Sequence, residues 1–257
     1  DYGYGTYLTY QYTVKFGNVS ATAYCVQPSK PGPGTGTYTI NKVGDGKALA
    51  KVCYYGTKAS GDDGFFTEEN GYGNLSAGAR FILVHLAASY ANGSSDAFSG
   101  ANTTAQNLAK KLYNYCISQP DIPDVAMSFS DADVTAYVDG NSQRTKEITF
   151  KADELQSITM KLPSGVKLHN VTTGKTSKAG EAVEISGGTK FYLSAPLTQV
   201  QDVAGNWSAT MKGSVTKDYS AYKISTGSGS QDLALVFGEG VDDEKYVDFK
   251  VTWVQYA

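Results

Sequence analysis

The chain has few of the residues that build metal centres and disulfide frameworks. Its 257 residues include three cysteines (Cys25, Cys53 and Cys116) and two histidines (His85 and His169). Two histidines make a multi-histidine metal site improbable, and an odd number of cysteines leaves at least one thiol unpaired. The cysteines also lack the Cys-x-x-Cys spacing of zinc and redox motifs. We therefore expect no metal and no other cofactor, and we expect Cys53 and Cys116 to be buried thiols.

Charge and long apolar runs are also scarce. Charged residues make up 18% of the chain and the formal net charge is -3, whereas a typical domain has about 25% charged residues. No basic patch of the kind that binds nucleic acid is present, and no apolar run is long enough to cross a membrane. Tyrosine (19) and glycine (28) are abundant instead. This balance is typical of an extracellular, β-rich protein, and we expect a monomeric domain of a longer, multidomain surface protein.

The stretch around Cys25 is the first candidate for chemistry. Residues 7–16 and 19–26 have strand composition and flank a Gly17-Asn18 turn, which predicts a hairpin with Cys25 near its end. The Pro/Gly-rich residues 29–36 follow as a loop. A lone cysteine is more often an inert, buried thiol than a nucleophile. Cys25 alone therefore favours a structural role.

The pattern changes twice along the chain. Residues 1–120 contain the hairpin and then three segments with helical spacing. Residues 121–213 carry short alternating segments separated by turns, which predict an all-β sandwich. Residues 214–257 hold further strands. We predict an α+β fold that is mostly β, in which the sandwich is inserted between two halves of another domain. The predicted helices span about residues 46–56, 76–91 and 103–118.

Three short motifs occur in order: Tyr24-Cys25-Val26, then Val84-His85-Leu86-Ala87-Ala88 on the second predicted helix, then Gln231-Asp232-Leu233-Ala234. They resemble the motifs of the thioester domains of Gram-positive bacterial surface adhesins, often found at pilus tips. His85 stands where the family's helical motif has glutamine. The resemblance covers residues 1–118 and 214–257. It implies a thioester-domain fold, a β-sandwich or barrel with a small helical subdomain, interrupted by the inserted sandwich.

The resemblance implies an internal thioester between Cys25 and Gln231. Sulfur donates weakly into a carbonyl, so a thioester stays open to attack by an amine. Its formation becomes feasible when the fold orients the two groups, since effective molarities can reach about 10^5 to 10^8 M. A lysine of a host or other extracellular protein would attack the Gln231 carbonyl, and an intermolecular isopeptide bond would result. Such a chain is a single-turnover covalent binder rather than a turnover enzyme. We expect it at the cell surface, attached to the cell wall through regions outside this chain.

His85 and four tyrosines are candidates for supporting roles. The ordinary pKa of histidine, near 6.5, suits a base for the incoming amine or an acid for the leaving sulfur. The alternative for His85 is a helix histidine satisfied by a backbone carbonyl. The tyrosines could line the site and keep water out. They are Tyr24, Tyr54, Tyr55 and Tyr90.

Two other glutamines are alternative acyl partners for Cys25. Gln27 is too near along the strand to meet Cys25 without strain, and Gln199 lies in the predicted inserted sandwich. Gln231 is therefore the preferred partner.

Three other functions remain open at this stage. A structural pilin or stalk module could carry a Lys–Asn cross-link, and a glycan-binding module could use the many tyrosines. A thiol hydrolase with Cys25 and His85 is least favoured, because the flanking sequence of papain-type enzymes is absent. The residues that could take part in a Lys–Asn cross-link are Lys151, Lys212, Asn206, Glu184 and Asp153.

Overall fold

The structure is a computed structural model of the chain. It describes residues 7–17, 19–57, 59, 63–124, 126–211, 217–240 and 246–255. The chain divides into two compact units. The first unit comprises residues 1–123 and 214–240, and the second comprises residues 124–213 and 241–257.

The secondary structure is mostly β, as predicted. The helices are α1 (Ala48–Tyr55), α2 (Ala77–Ala91) and α3 (Thr103–Ser118). The strands are, in chain order, β1 (Tyr12–Phe16), β2 (Val19–Cys25), β3 (Thr39–Val43), β4 (Ser128–Phe129), β5 (Asp133–Thr135), β6 (Tyr137–Asp139), β7 (Ser142–Arg144), β8 (Ile148–Lys151), β9 (Gln156–Lys161), β10 (Lys167–Asn170), β11 (Lys175–Thr176), β12 (Ala182–Ser186), β13 (Lys190–Pro196), β14 (Val203–Ser208), β15 (Thr210–Met211), β16 (Lys217–Ser225), β17 (Leu233–Gly240) and β18 (Tyr246–Thr252).

The first unit is built on an antiparallel sheet with the strand order β1-β2-β17-β16-β3. Gly17, at φ +57°, begins the turn between β1 and β2, a conformation that glycine adopts without steric cost. The expected first strand is too long, because residues 7–11 form no strand. Tyr12 already lies opposite Ala23, and β2 ends at Cys25, so little of β2 remains to pair with the residues before Tyr12.

Helices α1 and α2 pack against one face of this sheet, and α3 packs against both of them. Two of them begin at a side-chain cap: the Ser76 side chain caps α2 by accepting from the Ala79 amide, and the Asn102 side chain caps α3 by accepting from the Ala105 amide. The helices begin and end within two residues of the predicted bounds. Cys53 and Cys116 are free thiols buried in the helical core, as predicted.

The two faces of the sheet carry different apolar clusters, because side chains alternate along a strand. The helix-side cluster takes Tyr24, Val26 and Ala234 from the sheet. The opposite cluster contains Cys25 and Leu233 with other strand residues, among them Ala23, Ile224, Leu235 and Phe237. Cys25 and Tyr24 therefore face opposite sides.

The second unit is all-β over its described residues. Its largest sheet has the order β11-β10-β13-β7-β6, with β8 pairing with both β13 and β4. Two further sheets have the orders β12-β9-β15 and β14-β18-β5. Its core includes the buried side chains of Phe150, Phe191, Phe249 and Trp253.

The last strand corrects the predicted domain boundary. The predicted domain that holds Gln231 includes all of residues 214–257. In the structure β18 pairs antiparallel with β14 and parallel with β5, and residues 241–257 belong to the second unit. Strand composition alone does not identify the pairing partner of a strand. Among the described residues no helix is long and apolar enough to cross a membrane.

Candidate functional site

The register between β2 and β17 brings Cys25 and Gln231 to the same part of the sheet. Leu233 lies opposite Cys25, and the Val26 amide donates to the Asp232 carbonyl at 3.0 Å, which extends the pairing beyond the end of the strand. Alternation then places Gln231 on the same face as Leu233 and Cys25. Diagonal neighbours in such a pair have Cα atoms about 7 to 8 Å apart, within reach of a glutamine side chain.

Both side chains are shielded from solvent. Cys25 is 1% exposed and Gln231 is 8% exposed. Oε1 of Gln231 is buried and has no hydrogen-bond partner among the described residues. Such a carbonyl costs about 1 to 3 kcal/mol, and native structures contain few of them. The unpaired carbonyl of Gln231 therefore marks it as a residue with a role other than packing.

The Cys25 thiol is not an activated thiolate. Burial raises its pKa to about 11. Cysteine hydrolases depend on the opposite effect, a thiol pKa lowered by a neighbouring positive charge or helix N-terminus. The environment of Cys25 therefore does not support the thiol hydrolase alternative.

His85 lies on α2 and is buried. Its Nε2 is 3.2 Å from the Tyr7 hydroxyl and the two ring centroids are 5.7 Å apart, whereas its Nδ1 has no partner among the described residues. Burial lowers the pKa of His85 to about 4, so the ring is neutral at neutral pH. The ring is thus bonded to a tyrosine hydroxyl, not to the backbone carbonyl that the structural alternative assumed. Tyr7 itself has a raised pKa, through burial first and then through the neighbouring Cys25 and Asp96.

The low pKa of His85 predicts a pH-dependent stability. Unfolding returns the ring to its ordinary pKa of 6.5. Between pH 6.5 and 4 the unfolded state binds the proton more tightly than the folded state. The free energy of unfolding is therefore highest above pH 6.5 and falls by on the order of 3 kcal/mol as the pH is lowered toward 4. We expect His85→Gln to remove this slope. Urea unfolding at neutral and acidic pH, in a Cys25→Ala background without a thioester, measures it; equal slopes with and without His85 would contradict the prediction.

The four predicted tyrosines have separate positions. Tyr24 is buried and stacks on Phe81 with ring centroids 4.9 Å apart. Tyr54 is buried, with edge-to-face contacts to Tyr55 (4.8 Å) and Tyr219 (5.5 Å). Tyr54 and Tyr55 therefore contribute to packing between α1 and the sheet.

Tyr90 is 41% exposed and contacts Phe98 (5.2 Å) and Tyr113 (4.9 Å). These contacts place Tyr90 on the helical part of the first unit. Of the four tyrosines only Tyr24 adjoins Cys25 in sequence, and it faces the helices. The described contacts thus give these tyrosines packing roles rather than a shared pocket around the thiol.

Tyr12 and the loop around Gly32 cover the sheet face that Cys25 occupies, a feature that the sequence motifs did not predict. Tyr12 lies opposite Ala23, hence diagonal to Cys25, and packs against the Cys25 cluster. A Cβ added to Gly32 would lie 1.8 Å from the Tyr12 hydroxyl, so the loop backbone runs directly against this ring. The Gln231 amide donates to the Pro31 carbonyl at 2.9 Å. A glycine between two prolines, Pro31-Gly32-Pro33, was the available sequence signal for such close backbone approach.

We call residues 29–33 the strap. Its first residue is fixed to the loop after α2, because the Ser29 amide donates to Asp96 Oδ2 at 2.8 Å and the Ser29 hydroxyl donates to the same oxygen. Pro33 at its other end is buried. The strap is therefore held at both ends and at Pro31.

Gln27, one of the alternative acyl partners, and Asn206, one of the cross-link candidates, have other hydrogen-bond partners. Gln27 Oε1 accepts from the Asp232 amide at 3.1 Å, so this side chain supports the strand that carries Gln231. Gln199 lies in the second unit. Asn206 donates to Asp248 at 2.7 Å, and Lys212 lies outside the described residues.

A cavity of about 520 Å³ lies on the helix side of the sheet. It involves the start of the described chain, β2 and the first turns of α2. Tyr7, the partner of His85, and Tyr24 both line it. Arg80 at its rim is already paired with Asp63 at 3.4 Å. No group of three or more His, Cys, Asp or Glu residues that could hold a metal ion occurs in the described part of the chain.

Comparison with known proteins gives two matches to family models. Residues 1–123 match the family model of the thioester domain, and residues 128–215 match that of the TED-associated β-sandwich domain. A search of curated proteins gave no match. A similar solved structure, titled "The Bacillus anthracis TIE protein", is 17% identical with a TM-score of 0.46, and the alignment covers 91% of this chain and 42% of that one. The chain thus spans less than half of that structure. On the two family matches, residues 1–123 are a thioester domain and residues 128–215 are the β-sandwich domain associated with it.

Proposed function

We propose that Cys25 and Gln231 form an internal thioester through which the protein binds an amine-bearing target covalently. The observation that carries the proposal is the buried, unpaired carbonyl oxygen of Gln231, on the same sheet face as the buried Cys25 and diagonal to it. A carbonyl bonded to sulfur is a weaker hydrogen-bond acceptor than an amide carbonyl, so the lack of a partner costs a thioester less.

The proposed reaction has two steps. Cys25 Sγ attacks Cδ of Gln231, the C–N bond breaks, and the amide nitrogen leaves as ammonia with the thiol proton. The amine of the target then attacks the same carbon, the C–S bond breaks, and the thiol regains a proton. The product is a secondary amide, an intermolecular isopeptide bond when the amine belongs to lysine. Because the target stays attached, each molecule reacts once.

The site supports this chemistry by orientation and by exclusion of water. Cys25 ends β2 and Gln231 lies two residues before β17, the strand paired with β2, so the strand pair holds the two groups near each other, which favours a high effective molarity. Burial of Cys25 keeps water from the thioester until a target arrives. The ring of His85 is neutral at neutral pH, and we retain it, with its partner Tyr7, as the proposed acid/base group.

We further propose that the protein is a bacterial cell-surface adhesin that binds a lysine of a host or other extracellular protein. Thioester domains and their associated sandwich domains support this setting. Attachment to the cell wall would come from regions outside this chain.

Intact mass spectrometry tests the thioester directly. We expect the wild type to be lighter than its sequence by one ammonia and to gain one methylamine on exposure to that amine. Cys25→Ala should have its full calculated mass and stay unchanged in methylamine. Hydrolysis during preparation would convert Gln231 to glutamate, a product whose mass differs from both the amide and the thioester forms.

A wild type that keeps its amide at Gln231, with a freely alkylated Cys25, would contradict the proposal. The structural-module alternative would then account best for the chain. Loss of ammonia that persists in Cys25→Ala would place the cross-link elsewhere in the molecule.

A further inference from the structure

Lys223, in the first unit, contacts two residues near the proposed site, Asn92 and Asp232. It lies on β16, opposite Ala234 of β17. Its Nζ donates to Asn92 Oδ1 at 3.0 Å and is 3.4 Å from Asp232 Oδ2. The side chains of Lys223 and Asp232 are 32% and 17% exposed, so water screens this ion pair only in part.

The Asn92 contact leads to Cys25. Asn92 is the C-cap residue of α2, and its Nδ2 donates to the Val26 carbonyl at 3.4 Å. The Ser94 hydroxyl donates to the same carbonyl, and the Ser89 hydroxyl donates to the Cys25 carbonyl at 3.1 Å. The C-terminal end of α2 therefore fixes the backbone at Cys25 and at the residue after it.

The Asp232 contact leads to Gln231, its neighbour in sequence. Asp232 Oδ1 accepts from the Thr226 amide at 3.2 Å, and the Thr226 hydroxyl donates to the Gln231 carbonyl at 2.6 Å. The Asp232 carbonyl also accepts from the Val26 amide. The backbone on both sides of the Gln231–Asp232 peptide is thus tied to one turn and to β2.

We propose that Lys223 is a positioning residue for thioester formation. The proposal rests on the proposed function. One ammonium group holds Asn92, which fixes the residue after Cys25, and Asp232, the residue after Gln231. The same charged group therefore helps to fix the backbone next to each of the two reacting side chains. A displacement of about 1 Å can cost as much as 10^2-fold in rate when a reaction depends on orientation.

The test uses the full chain made by cell-free synthesis, with the loss of ammonia followed over time by mass spectrometry. We expect Lys223→Met to slow this loss about tenfold or more, and Lys223→Arg to restore part of the rate. Asp232→Asn should slow it too, and the double variant should be no slower than the slower single variant, because both changes break one interaction. Lys42→Met is the matched control: Lys42 lies on the adjacent strand β3, and its ion pair among the described residues is a 3.9 Å contact with Asp45.

Urea unfolding of the same variants in a Cys25→Ala background separates positioning from stability. A rate of ammonia loss in Lys223→Met equal to that of the wild type would overturn the proposal. The proposal would also be overturned if other variants with the same loss of stability lost ammonia equally slowly. Additive effects of the Lys223 and Asp232 changes on the rate would overturn it too. If the wild type itself never loses ammonia, the proposed function fails as well; if only Lys223→Met is unaffected, the thioester stands and this inference alone fails.

Discussion

Replacement of Gln231 by alanine is expected to abolish both the loss of ammonia and the uptake of methylamine, whereas Gln27→Ala should retain both. The physical reason is the register: Gln231 shares its sheet face with Cys25, whereas Gln27 uses its side chain to bind the Asp232 amide. Intact mass before and after methylamine treatment measures the result. Because the change removes the acyl group itself, no partial activity is expected.

The Gln27 variant is the control for general damage to the strand pair. It removes one hydrogen bond to Asp232 and should slow the reaction without preventing it. Methylamine uptake by Gln231→Ala would show that another carbonyl carries the thioester. If Gln27→Ala no longer released ammonia while Gln231→Ala still did, the acyl group would belong to Gln27 instead.

Opening the cover over Cys25 is expected to shorten the lifetime of the thioester. In Gly32→Ala the new methyl group would lie 1.8 Å from the Tyr12 hydroxyl, so the ring or the strap must shift. We expect hydrolysis and methylamine uptake to become several-fold faster. In the wild type Cys25 is 1% exposed, and opening the cover would let water and small amines reach it. The measurement is the decay of the thioester mass in buffer and in methylamine.

Gly34 provides the matched control on the same loop. A Cβ added to Gly34 would have no atom within 4 Å, so Gly34→Ala should leave both rates unchanged. Tyr12→Phe combined with Gly32→Ala removes the closest clashing atom and should recover part of the lifetime. Unchanged hydrolysis in Gly32→Ala would mean that the strap and Tyr12 do not limit access to the thioester.

Local sequence signals predicted most of the secondary structure in the first unit. The helical periodicity of residues 76–91 and the caps Ser76 and Asn102 depend on residues within a few positions of each other, which is why the helix bounds agree with the structure. The same holds for the hairpin turn at Gly17. The motifs also identified Cys25 and Gln231 as a candidate pair, a role that remains a proposal.

Other features could not be predicted because they depend on partners distant in the chain. Strand composition placed β18 near the end of the chain but not in the second unit, since its partners are β14 and β5. Tyr54 and Tyr90 were candidates for lining the site because tyrosine rings can exclude water. In the structure they pack against other aromatic rings, those of Tyr219 and Tyr113. Tyr12 and Lys223 carried no local signal of a role near the site.

The sequence by itself therefore determined the helices, the hairpin, the change to an all-β segment and the family, because periodicity, caps, turns and short motifs are encoded in neighbouring residues. Only the tertiary structure decided which strands pair, which face Cys25 occupies and what covers it. Those properties follow from the register of β2 against β17, whose paired residues Cys25 and Leu233 are far apart in sequence. A one-residue change in that register would turn Gln231 to the other face, away from Cys25.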